Sequence, residues 1–589
     1  MNYLREFYQS VVAGLRIRLN RVQYLVLMSI FVGMVSGLLS VILKTLVHYL
    51  QQWVGGFPYA IFFLIAGLLV SVFMVRHFFR GHLERGIAMV LKAVARKSSF
   101  IPVSHTYSHV VTSAFTVGLG GSVGLEAPIV ATGAAVGSNI ARINDFNYQE
   151  RSLLIACGAA AGIAAVFNAP VAGVIFAMEV LLAETGVSYF IPLIISAVTG
   201  ALCSRIILEE SILFNFVLKQ NFNYYNVPFY ILLGVACGFV SLYYARVFKK
   251  TEHTIQQFQI NPYLKAGVGG LLLVGICYLL PPLFGEGYET VKVLANGLPG
   301  PETDGETLSA RMNENWKLLL FTGAVFLLKP LAAAITIGSG GNGGNFAPSL
   351  FAGSYLGFFF SRLGNTMQKW YLLPEGNFSL VGMAGLLSGV MYCPLTAIFL
   401  IAEITNGYGL FIPLMIVSSI SYFIVRHYEP YSMDTKQLAL EGQIFTHKKE
   451  ENMLASMSLS ELLQDKYESV SINASMHELS KIIQQSDRNI FAVHDNDERF
   501  VGIIELNDIK KELFMPERFD QIKIRQLYKK AAGVIYDDED MNNVMKRLDL
   551  SGSWYLPVLT RKKVFKGFVS KTRVFNKYRE ILGQEKEIF

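Results

Sequence analysis

"GLGGSVGLEAP" occupies residues 118–128 and "GSGGNGGNFAP" residues 338–348. In both, a glycine-rich run ends in x-Ala-Pro ahead of an apolar segment. Proline suits the first turn of a helix, and glycine permits the tight backbone before it. Each stretch is therefore predicted to be a helix N-terminus set among apolar segments. The free N–H groups and positive dipole end of such a terminus suit an anion. A cation site would call for rings of carbonyl or carboxylate oxygens instead. The first stretch also carries Glu126. An ionised carboxylate taken out of water is costly unless it is compensated or takes up a proton. At a helix start it is itself a bound anion, competing with any other, and protonation would free the place it holds.

The surroundings of these stretches read as membrane. The chain has 589 residues, 52% of them hydrophobic, and a mean hydropathy of +0.40. Charged residues make up 16%, below the ~25% of soluble domains. Residues 24–50, 227–248 and 264–284 are apolar runs, each meeting the ~20 residues needed to cross a bilayer. No small-residue cleavage site follows the first run, so it reads as a span and not as a signal peptide. Arg5, Arg16, Arg18 and Arg21 precede it against Glu6 alone, which places the N-terminus in the cytoplasm. The net charge of +7 fits an anionic inner leaflet and shows no nucleic-acid patch. Cys157, Cys203, Cys237, Cys277 and Cys393 lie in apolar segments without metal-type spacing. Composition turns polar from "MDTKQLALEGQIFTHKKEEN", which begins at Met433. The expected organisation is a membrane domain over 1–432, a linker over 433–454 and a cytoplasmic domain over 455–589.

Both domains contain internal repeats. In the polar domain, Val493 and Gly502 recur as Val558 and Gly567, and Leu462 recurs as Leu527, at a constant offset of 65 residues. Each copy reads as helix, strand, turn, strand, helix after a short strand, over about 455–515 and 520–585. In the membrane domain, "APIVATGAAVG" (127–137) recurs 220 residues on as "APSLFAGSYLG" (347–357). Gly158 and Gly162 are matched with Gly385 and Gly389, and "PVAGVIFAME" (170–179) with "PLTAIFLIAE" (394–403). Many transporters are built from two such halves, with the substrate site where broken helices of both meet. The halves are related by inversion if each has an odd number of crossings.

With these motifs in hand, the chain resembles the CLC chloride channel and transporter family. "GLEAP" (124–128) is similar to its glutamate-bearing G-x-E-x-P motif, "GGNFAP" (343–348) to its G-x-F-x-P motif, and "EPYSMDT" (429–435) supplies a tyrosine after the last span. The polar repeat resembles a tandem pair of CBS domains, common at the C-terminus of that family. The resemblance implies an all-α polytopic fold of two inverted repeats with a cytoplasmic α/β CBS pair. It also implies a homodimer with one pore per subunit, in the cell (inner) membrane. Glu126 would be the gating glutamate. Gly124, Leu125, Asn345 and Phe346 would bind chloride with it, and the Tyr431 hydroxyl would close the inner side. No metal or cofactor is implied, and chloride is the expected substrate, with protons as a second one to be decided.

Two departures bear on mechanism. "ERGIA" (84–88) keeps Gly86 and Ile87 but puts Arg85 where the family has a serine. Arg85 is left as either a cationic contact or a vestibule residue. Exchangers carry a second, inner glutamate; here Val180 falls at that position, with Glu179 one residue earlier. Valine cannot relay a proton, so a channel-like or weakly coupled pore is expected, with a strict chloride/proton antiporter as the alternative. Glu179 and Glu403 are open between facing cytoplasm and capping backbone, and Lys329 between snorkelling and lining a wet cavity.

The bland readings are a capping carboxylate for Glu126, core for Phe346 and an interfacial belt for Tyr431. "GGSVG" (120–124) satisfies the G-x-S-x-G pattern of serine hydrolases, with Ser122 as nucleophile, but needs a strand-turn-helix elbow and a histidine–acid pair. A membrane sensor is a further alternative. CBS pairs often hold adenine nucleotides through Ser/Thr-x-x-Asp. Copy one offers Glu505 and Asp508, and copy two Ser570 and Arg573, so neither carries both elements and a nucleotide there stays open.

Overall fold

The computed structural model describes residues 18–79, 86–95, 99–182, 189–208, 216, 222–296, 315–367, 372–405, 407–436, 457–463 and 467–586. They belong to two compact units, residues 1–444 and 445–589. The expected linker falls largely outside the described residues, as do Arg5, Arg16 and Arg85.

Among its described residues the long regular elements of the first unit are all helices. Its first half runs α1 (Arg21–Gly55), α2 (Phe63–Phe78), α3 (Gly86–Ala95), α4 (His105–Gly118), α5 (Glu126–Ile143), α6 (Tyr148–Phe167), α7 (Pro170–Phe176) and α8 (Phe190–Ile207). The second half runs α9 (Val227–Gln257), α10 (Pro262–Leu279), α11 (Tyr288–Ala295), α12 (Asn315–Gly338), α13 (Phe346–Met367), α14 (Glu375–Met391), α15 (Pro394–Ile404) and α16 (Phe411–Tyr428). Taken in order, the eight members of one half answer the eight of the other. Among the described residues eight helices are long and apolar enough to cross a membrane, including α1, α9 and α10, which carry the three apolar runs picked out in the sequence. Arg21, counted among the flanking cations, is paired in two-pronged fashion with Glu150, at 2.6 and 3.1 Å.

Each glycine-rich run folds as the same turn. Gly120 has φ +105° and Gly340 φ +108°, a backbone only glycine adopts without strain. The next residues close the turn alike: Gly121 N–H donates to Thr116 O at 2.8 Å and Gly341 N–H to Thr336 O at 3.0 Å. Helices α5 and α13 then start at Glu126 and Phe346, as the x-Ala-Pro pattern predicts. Further along, a Cβ on Gly133 would meet the Gly158 carbonyl, and one on Gly353 the Gly382 carbonyl. These contacts let α5 press on α6 and α13 on α14, backbone to backbone.

This geometry corrects one sequence match. Helices α6 and α14 end in left-handed residues, Asn168 and Tyr392, just before Pro170 and Pro394, which sets the offset there at 224 residues. Gly158 therefore answers Gly382, and not Gly385. The sequence pairing of Gly158/Gly162 with Gly385/Gly389 matched glycine spacing within each helix and slipped by nearly one turn.

The second unit contains α17 (Leu459–Leu462), β1 (Ser469–Ser471), α18 (Met476–Gln485), β2 (Ile490–His494), β3 (Phe500–Glu505), α19 (Lys510–Leu513), β4 (Ile535–Tyr536), α20 (Met541–Ser551), β5 (Tyr555–Leu559), β6 (Phe565–Ser570) and α21 (Lys571–Lys586). Two three-stranded sheets form, in the orders β1-β2-β3 and β4-β5-β6, each with one parallel and one antiparallel pairing. Val493 pairs with Gly502 and Val558 with Gly567, each followed at once by a register shift, so the 65-residue repeat holds to the level of the bulge. The leading segments are exchanged. Leu459 and Leu462 pack in the core of the second copy with Ile535 and Val558, while Ile524, Leu527 and Tyr528 join that of the first.

Candidate functional site

The two glycine turns meet. Gly124 N–H donates to Gly344 O at 3.0 Å and Gly344 N–H to Gly124 O at 2.9 Å, a two-residue antiparallel bridge joining the halves. A Cβ on Gly124 would crowd Ala347, and one on Gly344 would crowd Ala127. Each half's glycine thus seats the alanine of the other's Ala-Pro. Around this bridge several contacts have a counterpart in the other half. Ser122 N–H donates to Thr336 Oγ1 at 3.3 Å, and Asn342 N–H to Thr116 Oγ1 at 3.0 Å. Lys329 Nζ donates to Ser122 Oγ at 2.9 Å, and in the matching place Asn342 Nδ2 lies 3.3 Å from His109 Nδ1.

Glu126 breaks this symmetry, because its counterpart is the fully buried Phe346, whose ring lies 5.7 Å from that of Phe167 and 6.2 Å from that of Phe176. The Glu126 carboxylate, 1% exposed, reaches into the other half: Oε2 accepts from Ala347 N–H in the first turn of α13 at 3.3 Å. Its Oε1 accepts from the Tyr288 hydroxyl at 2.7 Å. A Cβ on Gly124 would collide with Oε2, so the glycine two residues earlier gives this carboxylate its room. A side-chain carboxyl group therefore sits on a backbone donor of the opposite helix start, at the end where the dipole is positive.

Three further ionisable groups surround it that the motifs did not single out. Glu286 Oε1 accepts from Leu125 N–H at 3.2 Å. Lys44, buried in α1, donates to Val166 O at 2.7 Å and acts through space on both Glu126 and Glu286. Lys329 is fully buried, donates also to Gly285 O at 3.2 Å, and lies 4.5 Å from the Phe351 ring centre. Lys329 therefore neither snorkels nor lines a wet cavity; it staples α12 to the first half's turn. Lys44 could have been found from sequence as a cation in mid-span. Glu286 and Tyr288, in the short run "GEGYE", carried no signal without the fold that lays that run over residues 120–126.

Other predicted residues fall as follows. The Asn345 amide oxygen accepts from the Tyr244 hydroxyl at 3.4 Å. Gly86 opens α3 with φ +70°, Ile87 is buried, and Arg85 lies outside the described residues. Tyr431 follows the end of α16, is 40% exposed, and has no hydrogen bond to the Glu126 site among the described residues. Val180 sits in a π-helical turn closing α7, half-buried against apolar neighbours. Glu179 is a cap: it accepts from Leu395 N–H, Thr396 N–H and the Thr396 hydroxyl at 3.1, 2.8 and 2.7 Å. Glu403 repays this by accepting from Val171 and Ala172 N–H at 3.1 and 2.8 Å. The question left open for these two acids is answered in favour of backbone capping, each at the other half's Pro-led helix start. Ser122 is buried against Lys329 in a helix-flanked turn, without the strand of a hydrolase elbow. In the C-terminal unit Asp508 pairs with Lys529 at 2.7 Å, and Ser570 Oγ accepts from Arg573 N–H at 3.2 Å.

Comparison with known proteins accords with this architecture. The model of the voltage gated chloride channel family matches residues 66–426, and that of the CBS domain residues 459–514. An H(+)/Cl(−) exchange transporter ClcA of Citrobacter koseri is 29% identical over 411 residues, covering 65% of this chain and 82% of its own. A voltage-gated ClC-type chloride channel ClcB of Escherichia coli O9:H4 is 29% identical over 322 residues, covering 54% and 71%. A slow cyanobacterial Cl−/H+ antiporter has the same fold, with a TM-score of 0.60 at 21% identity over 72% of this chain and 98% of its own.

Proposed function

Since the chain belongs to the voltage-gated chloride channel (CLC) family of anion-transporting membrane proteins, we propose that it passes chloride through a pore gated by Glu126, channel-like or only weakly coupled to protons. The observation that carries this reading is the Glu126 carboxylate resting on the Ala347 N–H of the opposite half. A chloride ion arriving there must displace it, and a proton on the carboxylate removes the competitor, so occupancy and protonation are linked in one residue. With Val180 at the inner relay position and Glu179 committed to three hydrogen bonds with α15, no carboxylate at that position is free to carry protons onward. Gly124, Leu125, Asn345 and Phe346 supply the rest of the anion site in this reading, and Tyr431 its inner limit. The protein acts as a homodimer in the cell membrane, with the N-terminus and the CBS pair in the cytoplasm.

The test is chloride efflux from proteoliposomes with simultaneous proton recording. The native protein is expected to pass chloride without driving protons uphill. Glu126→Gln is expected to raise flux and weaken its pH dependence. Stoichiometric uphill proton movement would favour strict antiport, and an unchanged pH profile in Glu126→Gln would remove the gate assignment.

A further inference from the structure

The turn between α10 and α11 lies across the first half's helix start as a strap. Gly285 N–H donates to Gly120 O at 2.9 Å, Glu286 accepts from Leu125 N–H at 3.2 Å, and Tyr288 donates to Glu126 at 2.7 Å. The strap is fixed by the Lys329 bond to Gly285 O and by Gly287 at φ +83°, where a Cβ would strike Phe351. Both anion-attracting helix starts are thus already occupied by carboxylates. Glu126 holds a backbone donor of the second half, and Glu286 one of the first. We infer that Glu286 is a second gating acid, held on the Leu125 N–H as Glu126 is held on Ala347, and that both must yield before an anion occupies the paired helix starts. This rests on the chloride reading above and adds a residue that the G-x-E-x-P and G-x-F-x-P motifs do not contain.

The charges facing Glu286 make its release depend on protons. Glu126 repels it, Lys44 from α1 and Lys329 from α12 attract it, and Tyr288 stands beside it on the strap. An anion that displaced both acids while they stayed ionised would meet two negative charges in its own site. Displacement therefore goes with proton uptake by both acids, and the two titrate as a linked pair. One such acid gives at most about a tenfold change in open sites per pH unit, and two give up to about a hundredfold.

Chloride flux from proteoliposomes against pH, with the full-length protein, tests this. Native protein is expected to activate more steeply than a single titration allows. Glu126→Gln should keep a one-proton rise, Glu286→Gln should also fall to one, and the double variant should be flat. Glu286→Asp, which keeps the charge, should restore the native steepness and separates gating from packing. A Glu126→Gln profile that is already flat, or a Glu286→Gln profile that overlays the native one, overturns the inference. If the native protein passes no chloride, the chloride reading falls by itself. Glu286 is then judged from proton uptake when chloride is added to the detergent-solubilised protein. Uptake that drops in both single variants supports it, and uptake unaffected by Glu286→Gln, or absent altogether, refutes it.

Discussion

Glu179→Ala is expected to loosen the crossing of α7 and α15 without touching the gate. The carboxylate accepts three hydrogen bonds, from Leu395 N–H at 3.1 Å, Thr396 N–H at 2.8 Å and the Thr396 hydroxyl at 2.7 Å. A hydrogen bond to a charged group contributes about 1.5–3 kcal/mol net when shielded. The Leu395 amide is exposed and can turn to water, so the two half-buried Thr396 bonds carry the cost; their partial exposure lowers each to about 1–2 kcal/mol, or about 2–4 kcal/mol together. Glu403→Ala frees one exposed and one half-buried amide, Val171 and Ala172, and should cost about 1–2 kcal/mol. Each acid ends one helix and caps the start of the other, so the helices run antiparallel. The caps lie about nine residues apart, or roughly 14 Å at 1.5 Å per residue. At that separation the two losses should add. Glu179→Gln keeps one acceptor oxygen and should fall between native and alanine. Equilibrium unfolding in mixed detergent micelles reads these differences, with proton recording in proteoliposomes run alongside. A proton-relay role makes the opposite forecast: stability unchanged within about 0.5 kcal/mol and proton movement abolished. That pair of results would refute the capping argument.

Tyr288→Phe removes the hydroxyl that donates to Glu126 at 2.7 Å. That donor favours the ionised gate, so its loss should shift activation of chloride flux to higher pH, by about 1–2 units for a charged hydrogen bond of about 1.5–3 kcal/mol. An activation midpoint that stays put or moves down would contradict the geometry. Gly120→Ala and Gly340→Ala each force a φ above +100° on an L-residue and drive a methyl into Phe284 or Val72, respectively. Each should cost at least about 1–3 kcal/mol in the same unfolding assay, and equal tolerance of both would contradict the paired turns.

Much of this was legible in the sequence because the signals were local. Glycine before x-Ala-Pro fixes a turn and a helix start within one stretch, and Glu126 announces itself as an acid among apolar residues. The 65-residue repeat announced two copies of one strand-and-helix unit, and the structure adds that the copies share a bulge after Val493 and Val558. What stayed hidden depends on which residues meet across long separations. Lys329 carried a charge whose partners, Ser122 and Gly285, lie 207 and 44 residues away. Glu179 and Glu403 look alike whether they face water or a helix start, and only the antiparallel docking of α7 on α15 decides between the two. The exchanged segments around Leu462 and Leu527 keep the repeat's spacing while packing on the opposite copy, which offset alone cannot reveal.

The paired halves also explain where function can reside. Around the Gly124–Gly344 bridge the scaffold contacts come in twos: Ser122 with Asn342, Thr336 with Thr116, Lys329 with His109. A contact made twice by symmetry holds the two helix starts against each other but cannot favour one direction or one protonation state. The chemistry must come from places where the halves differ. Among the described residues, such places at the bridge include Glu126 opposite Phe346 and the strap that brings Glu286 and Tyr288 over the first half. Both add negative charge at the same pair of positive helix ends. An anion-attracting site that is filled with its own acids stays shut until protons or chloride outcompete them, and that makes a rigid symmetric frame responsive to both.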